Sequence, residues 1–492
     1  MLQYIKKEFD KTFTENMAVT SRTTGSDCLD LFSTIGALRQ ANEEEIISRF
    51  IRAYTENPDT AMKLLFFARD IRGGLGERRV FRIIMNWLAI NKPNSARRNI
   101  EYIAEYGRYD DLMIFFSTEC EKDMLEYVKR QFDKDMLALK NGGEISLLAK
   151  WLPSINATNK ETIRKARLVA RALGLNNAEY RKALTALRAE IKILEDNLRR
   201  KDYSFDYEKQ PSRAMFKYRK AFFRNDSERY MGFLSKVCSG KAVLHTDNVS
   251  PYELIDPYLG CYGDSFIRSL SEQEKIALNT TWENMPDFAG DENTLVVVDT
   301  SASMYWTKKP SPASVALSLG LYFAERNKGV FKNHFIEFSE TPRLIEIKGD
   351  TFVDKLSYVA TFNEIANTNL EAVFDLLLNA AVKNNVSQNE LPQKLIIISD
   401  MEFDCCIYNS DDTNFNNAKN KYNAYGYKLP SIVFWNVASR NRQQPVTENE
   451  QGVVLVSGVT PRLFSMVAGG ALSPYKFMID VIESERYSKI VA

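Results

Sequence analysis

The stretch Thr294–Trp306, "TLVVVDTSASMYW", opens on a run of apolar, mostly β-branched residues and ends in Asp299, Ser301 and Ser303 at alternate positions. A strand with no polar face predicts burial on both sides, as in a central strand of a parallel sheet covered by helices. The chain downstream repeats the pattern. "FKNHFIEF", "PRLIEIK", "KLIIISD", "SIVFWNV" and "GVVLVSG" read as short strands. Between them "SPASVALSLGLYFAERN", "NLEAVFDLLLNAAVKNN", "NFNNAKNKYNAY" and "PRLFSMVAGG" read as helices. Strands lying on both sides of the first one would make a doubly wound, mainly parallel α/β domain.

Upstream the pattern is helical. "ANEEEIISRFIRAYTEN", "DTAMKLLFFARDI", "ERRVFRIIMNWLAIN" and "EKDMLEYVKRQFDKDMLALKN" place apolar residues three and four apart and are separated by Gly, Pro or Asn. Such helices stack as antiparallel pairs, and without a fixed-period repeat the expected array is irregular, a ring or a solenoid. The texture changes at "NMPDFAGDEN", so the expected division is a helical domain over 1–285 and an α/β domain with a C-terminal tail over 286–492. The fold class expected is α plus α/β.

With 492 residues, 45% of them hydrophobic and 12% aromatic, the chain has enough apolar surface for more than one packed core. No apolar run approaches the roughly 20 residues of a membrane span, and "MLQYIKKEFDKTF" lacks the apolar centre of a signal peptide. A soluble, cytoplasmic protein with no membrane partner is expected. The six cysteines (Cys28, Cys120, Cys238, Cys261, Cys405, Cys406) show no zinc spacing and read as reduced, mostly buried thiols. Only two histidines occur, His245 and His334, which excludes chemistry needing several imidazoles; His334 reads as a packed strand residue.

In a doubly wound sheet the loops ending the first and fourth strands lie side by side at the switch point. Asp299 ends "TLVVVD" and Asp400 ends "KLIIISD". Ser301 and Ser303 follow Asp299 at spacing two, which points all three side chains the same way in an extended loop. Thr368, at a helix start in "NTNLEAVF", adds a third hydroxyl. Two carboxylates and three hydroxyls form a hard oxygen set suited to Mg²⁺, with Mn²⁺ and Ca²⁺ as alternatives. The blander reading is that the serines and Thr368 only cap helices, which leaves the facing aspartates unexplained. Catalysis is not expected. No G-x-S-x-G elbow or base accompanies the serines, and Ser301 stands where a D-x-D phosphotransfer pattern needs its second acid.

"DTSAS", with Thr368 and Asp400 so placed, resembles the metal-ion-dependent adhesion site of von Willebrand factor A domains. The longer "DTSASM" is similar to the start of the A domain in the Ro ribonucleoprotein family, "DVSASM", differing at Thr300. In that family the A domain follows a ring of irregular helical repeats, the TROVE module, which binds small noncoding RNAs and single-stranded RNA ends. A closer likeness is to an uncharacterised TROVE-like family of phages, bacteria and eukaryotes, through "LLFFARDIRGGLGERRVF", "YGRYDDL", "LLAKWLPS" and "SIVFWNV".

Between Lys160 and Arg224 stand 18 Lys and Arg against 8 Asp and Glu, a local excess of positive charge in a chain of net charge +1. Within it Arg199, Arg200, Lys201, Arg213, Lys217, Tyr218, Arg219, Lys220 and Arg224 interleave with Tyr203, Phe205, Tyr207, Phe216, Phe222 and Phe223. Cations beside rings suit single-stranded RNA, charge for phosphates and rings for bases. The competing reading is a solvated helix face over core aromatics. "RGGLGERR" lacks the G-K-[ST] of a phosphate loop and reads as a turn exposing Arg72, Arg78 and Arg79, with contact to an RNA backbone as the alternative. The function expected is non-catalytic binding of small or single-stranded RNA as a ribonucleoprotein component. The alternative is a protein-interaction scaffold, as in phage or bacterial assembly, whose metal grips an acidic partner.

Overall fold

The computed structural model describes residues 10–259, 270–305, 310–338, 341–362, 368–404, 413–467 and 473–492. Cys261, Cys405, Cys406 and Trp306 lie outside the described residues. The class is α plus α/β: a helical N-terminal half precedes a six-stranded, mostly parallel sheet.

That sheet runs in the order β5-β4-β3-β6-β7-β8, from β3 (Thr294–Asp299), β4 (His334–Phe338), β5 (Arg343–Glu346), β6 (Lys394–Ser399), β7 (Ser431–Asn436) and β8 (Val453–Ser457). Only β5 is antiparallel to its neighbour. β3 is central, paired in parallel with β4 on one side and with β6 on the other. All six residues of β3 and all six of β6 are buried, as uniformly apolar runs require. Two apolar layers cover the sheet. On one face Leu295, Val297, Ile397 and Phe434 pack under the helices Leu370–Asn384 and Asn414–Ala424. On the other Val296, Val298, Ile396 and Trp435 pack under the helix Pro312–Arg326 and merge with the core of the helical half.

The helical half joins the sheet closely enough that Gly36 touches the end of β8, where an added Cβ would collide with the Ser457 carbonyl. Polar groups clamp the same junction. Arg49, on the helix Glu43–Glu56, donates to Ser439 Oγ (2.9 Å) and Asn441 O (2.8 Å), and Arg442 pairs with Glu45 at 2.6 Å.

Both ends of the described chain cross the division expected at 285/286. A hairpin of β1 (Lys11–Phe13) and β2 (Val19–Ser21) lies on the α/β half, where Ser21 and Gln444 exchange backbone hydrogen bonds of 3.0 and 2.8 Å. Conversely, the helix Pro474–Ile482 and the turn Glu485–Tyr487 return to the helical half. Tyr487 stacks on Tyr106 with centroids 5.7 Å apart, and its hydroxyl donates to the buried Asp70 at 3.0 Å. Neither crossing has a local signature, because each rests on contacts some four hundred positions apart.

Candidate metal site and basic surfaces

Parallel pairing in register puts the ends of β3 and β6 on one edge, so the loops that leave them are adjacent. Asp299 is fully buried: one carboxylate oxygen accepts from the Ser301 backbone N–H (2.9 Å) and the other from Ser399 Oγ (2.6 Å). Ser301 Oγ and Ser303 Oγ are 3.1 Å apart, and Ser303 Oγ donates to Asp400 Oδ2 at 2.9 Å. Burial, reinforced by the Asp400 charge, raises the Asp299 carboxyl well above the usual carboxylate range. The structure therefore gathers Asp299, Ser301 and Asp400, all buried, and the half-buried Ser303 into one cluster. Thr368 is buried beside it, its hydroxyl donating to the Glu402 carbonyl at 3.1 Å, in the loop that follows Asp400.

Three residues of this neighbourhood carried no signal in the sequence. Ser399 precedes Asp400 and fixes Asp299 from the adjacent strand. Arg440, in the loop after β7, donates to Asp400 Oδ2 at 2.8 Å and pairs with Glu15 of the N-terminal hairpin at 2.9 Å. Glu402 is buried, accepts from the Glu15 backbone N–H (2.9 Å), Asn441 (2.9 Å) and Gln443 (2.7 Å), and is raised by burial. A cavity of about 360 Å³ opens beside Arg440, walled by Arg39, Asn42, Pro312, Val437 and Ser439. The cluster fits a hard divalent cation by its donor set, being oxygen only, with two carboxylates whose mutual repulsion a cation relieves. Among the described residues no group of three or more His, Cys, Asp or Glu assembles.

The basic stretch is arranged differently from the expectation. In the helix Ser212–Asn225 the buried positions are Ser212, Met215, Arg219, Phe222 and Phe223, of which Met215, Phe222 and Phe223 join Tyr207, Tyr230 and Phe233 in a small separate core. Those rings pack on one another, Tyr207 against Phe222 at 5.2 Å and Phe223 against Tyr230 at 4.8 Å, and so are not presented to bases. Arg219 is a correction. Its guanidinium lies inside, 4.0 Å over the Phe216 ring, donating to Phe216 O (2.7 Å) and Tyr258 OH (2.9 Å). Several surface cations already have carboxylate partners: Arg199 and Arg200 with Asp196 (both 2.7 Å), Arg213 with Glu253 (2.5 Å), Lys220 with Glu274 (2.9 Å). Lys217 donates to Tyr218 OH (3.0 Å), which in turn donates to Glu195 (3.3 Å). Lys201, left-handed at φ 55° past the helix Leu194–Arg200, and Arg224 are exposed.

A second basic surface lies where "RDIRGGLGERR" meets "YGRYDDL". Arg69 and Asp111 are both buried and joined at 2.7 Å. Around them Arg78, Arg82 and Arg108 converge on Asp110 Oδ2 at 2.6, 2.9 and 2.6 Å. Gly107 is needed for this approach, since a Cβ there would stand 2.7 Å from Asp111 Oδ2 and 2.8 Å from Arg69 Nε. Arg72 instead caps a backbone, donating to Glu105 O at 2.5 Å, and Arg79 donates to Ala41 O at 2.7 Å. Of the cysteines described, Cys28 and Cys120 are buried as expected and Cys238 is exposed. No described helix is long and apolar enough to cross a membrane.

An irregular helical half ending in a doubly wound α/β sheet, with an acid and hydroxyl cluster at the switch point, defines the class of protein. Within that class the chain belongs to the family of the Domain of unknown function DUF2828, whose model matches residues 14–133 and 157–295. A second model, Domain of unknown function DUF7788, matches residues 293–475, beginning just before β3. The chain is similar to the uncharacterized protein L728 of Acanthamoeba polyphaga mimivirus, at 28% identity over 510 residues covering 96% of this chain and 87% of that one. A crystal structure of the Ro (RSR) protein of Deinococcus radiodurans is similar at 14% identity and a TM-score of 0.47, over 90% of this chain and 100% of that one.

Proposed function

We propose that the protein is a non-catalytic, cytoplasmic RNA-binding protein of Ro type, whose α/β half takes Mg²⁺ at a recognition site of the von Willebrand A kind. The observation that carries the RNA part is the surface charge of the helical half: leaving out the buried Arg219, 17 of the 18 cations over 160–224 stand against 8 acids, and the Arg78, Arg82 and Arg108 cluster adds more. That charge neutralises a phosphate backbone without base readout, consistent with a small or single-stranded RNA ligand. Asp299, Ser301, Ser303, Thr368 and Asp400 would hold the cation. When bound it supplies an electrophilic position that a partner's carboxylate or phosphate completes. Arg440 orients Asp400 and shares its charge, so a metal competes with it.

Affinity for single-stranded RNA should fall linearly in log–log salt plots, by about 0.7 per contacted phosphate. No binding even at about 50 mM salt would remove the RNA reading. One observation favours a second reading, the acidic-partner scaffold. Glu15 already presents a carboxylate next to the site, held by Arg440 at 2.9 Å and by Asn441 at 2.9 Å. In that reading Asp299→Ala abolishes partner capture, and substitutions on the basic surfaces change nothing.

A further inference from the structure

The ion network at Asp110 and Asp111 is out of balance. Four guanidinium groups (Arg69, Arg78, Arg82, Arg108) share two carboxylates, and among the described residues no third carboxylate pairs with them. Arg69 saturates the buried side of Asp111, so the surplus falls on the outer three, whose side chains are 45%, 28% and 31% exposed. Their donors are not exhausted either. Arg82 Nη2 lies 2.9 Å from Asp110 Oδ2 yet is not aligned to hydrogen-bond it, and it is buried without any other acceptor. Among the described residues the Arg78 side chain makes a single hydrogen bond, through Nη2. Burial, together with the like charges of Arg82 and Arg108, holds the Arg78 guanidinium below its usual range although Asp110 touches it. Beside the cluster, Arg108 lies 4.0 Å over the partly exposed Trp151 ring and Lys150 lies 5.5 Å from it.

We propose that Arg78, Arg82 and Arg108 form a binding site for a phosphate oxyanion, with Trp151 as the adjoining ring. The donors of Arg78 and Arg108 that Asp110 leaves unused match the oxygens of a tetrahedral phosphate, which supplies the negative charge the two aspartates do not. The site takes a phosphate of a single-stranded RNA, and in this it rests on the function proposed above. Here cations stand beside a ring at the surface, the arrangement the segment 199–224 does not achieve. The chemistry is equally that of free phosphate, and the test separates the two.

The full chain is titrated against a fluorescent single-stranded RNA of about 20 nucleotides, and separately melted with and without inorganic phosphate. The double variant Arg78→Gln/Arg108→Gln should weaken RNA binding by roughly tenfold or more and flatten the salt slope by about 0.7, one phosphate's worth. Lys328→Gln, at an exposed ion pair of the α/β half, should change affinity by less than about twofold. Asp110→Asn removes one of the two competing carboxylates and should tighten RNA binding, roughly threefold, a gain that misfolding cannot mimic. If wild type binds RNA and the double variant binds it equally, or Asp110→Asn weakens it, the site is overturned while RNA binding stands. If wild type binds no RNA but inorganic phosphate raises its Tm, and not that of the double variant, the site takes free phosphate and the RNA reading falls. If neither ligand acts, both fall.

Discussion

Asp299 and Ser399 meet although a hundred positions separate them, while Lys217, Tyr218 and Arg219 are consecutive and face three different surroundings. The difference lies in how each element sorts its residues. A parallel sheet brings the carboxyl ends of all its strands to one edge, so residues ending different strands converge. A helix turns by about 100° per residue, so neighbours in sequence are dispersed around it. In Ser212–Asn225 the series Met215, Arg219, Phe222 and Phe223 faces inward and the series Arg213, Lys217, Lys220 and Arg224 outward. Interleaved cations and rings thus become a charged face over an apolar one, whereas terminal acids and hydroxyls of separate strands become a site.

The largest effect that bears on this contrast is in the aromatic layer. Phe222→Ala, at a fully buried position, should lower stability by about 3–5 kcal/mol in denaturant titration. A near-neutral stability change accompanied by loss of RNA affinity would show that the ring faces ligand after all. Next comes the strand-end cluster. Adding Mg²⁺ at about a hundred times its Kd, against EDTA, should stabilise wild type by about 2.7 kcal/mol and Asp299→Ala not at all. Equal shifts in both would place any cation elsewhere. Smaller again is the competition from Arg440: Arg440→Gln should tighten Mn²⁺ binding, read by titration calorimetry, by roughly tenfold or about 1.4 kcal/mol. Unchanged or weaker binding would make Arg440 a positioning group for Asp400 and not a rival to the metal. Smallest is Arg224→Gln on the exposed face, expected within about 0.5 kcal/mol of wild type.

What the sequence disclosed follows the same division. β3 and β6 were legible because six successive buried positions leave no polar face, and their terminal aspartates marked the switch point. Ser399 was hidden beside Asp400 because in a strand only the pairing decides which side chain turns to its neighbour. Arg440 and Glu402 were invisible for another reason: their partners, Asp400 and the hairpin at Glu15, are set by loop geometry, which has no period to read. The basic stretch was legible as charge and misleading as a surface, since Arg219 is carried inward by a helical phase its neighbours do not share. The network of Arg78, Arg82 and Arg108 was partly visible in "RGGLGERR", but its convergence depends on Asp110 thirty residues away.

The crossing of the chain's ends has a consequence in time. Asp70 is buried, and its partners Arg486 and Tyr487 lie more than four hundred positions later. At a ribosomal pace of about 5–20 residues per second, the helical half emerges on the order of half a minute before them. Through that interval the groove between Phe67 and Tyr106, which Tyr487 finally fills, stays open, with an uncompensated carboxylate at its floor. The helical half therefore completes its packing at Asp70 only after the distal segment carrying Arg486 and Tyr487 has been made.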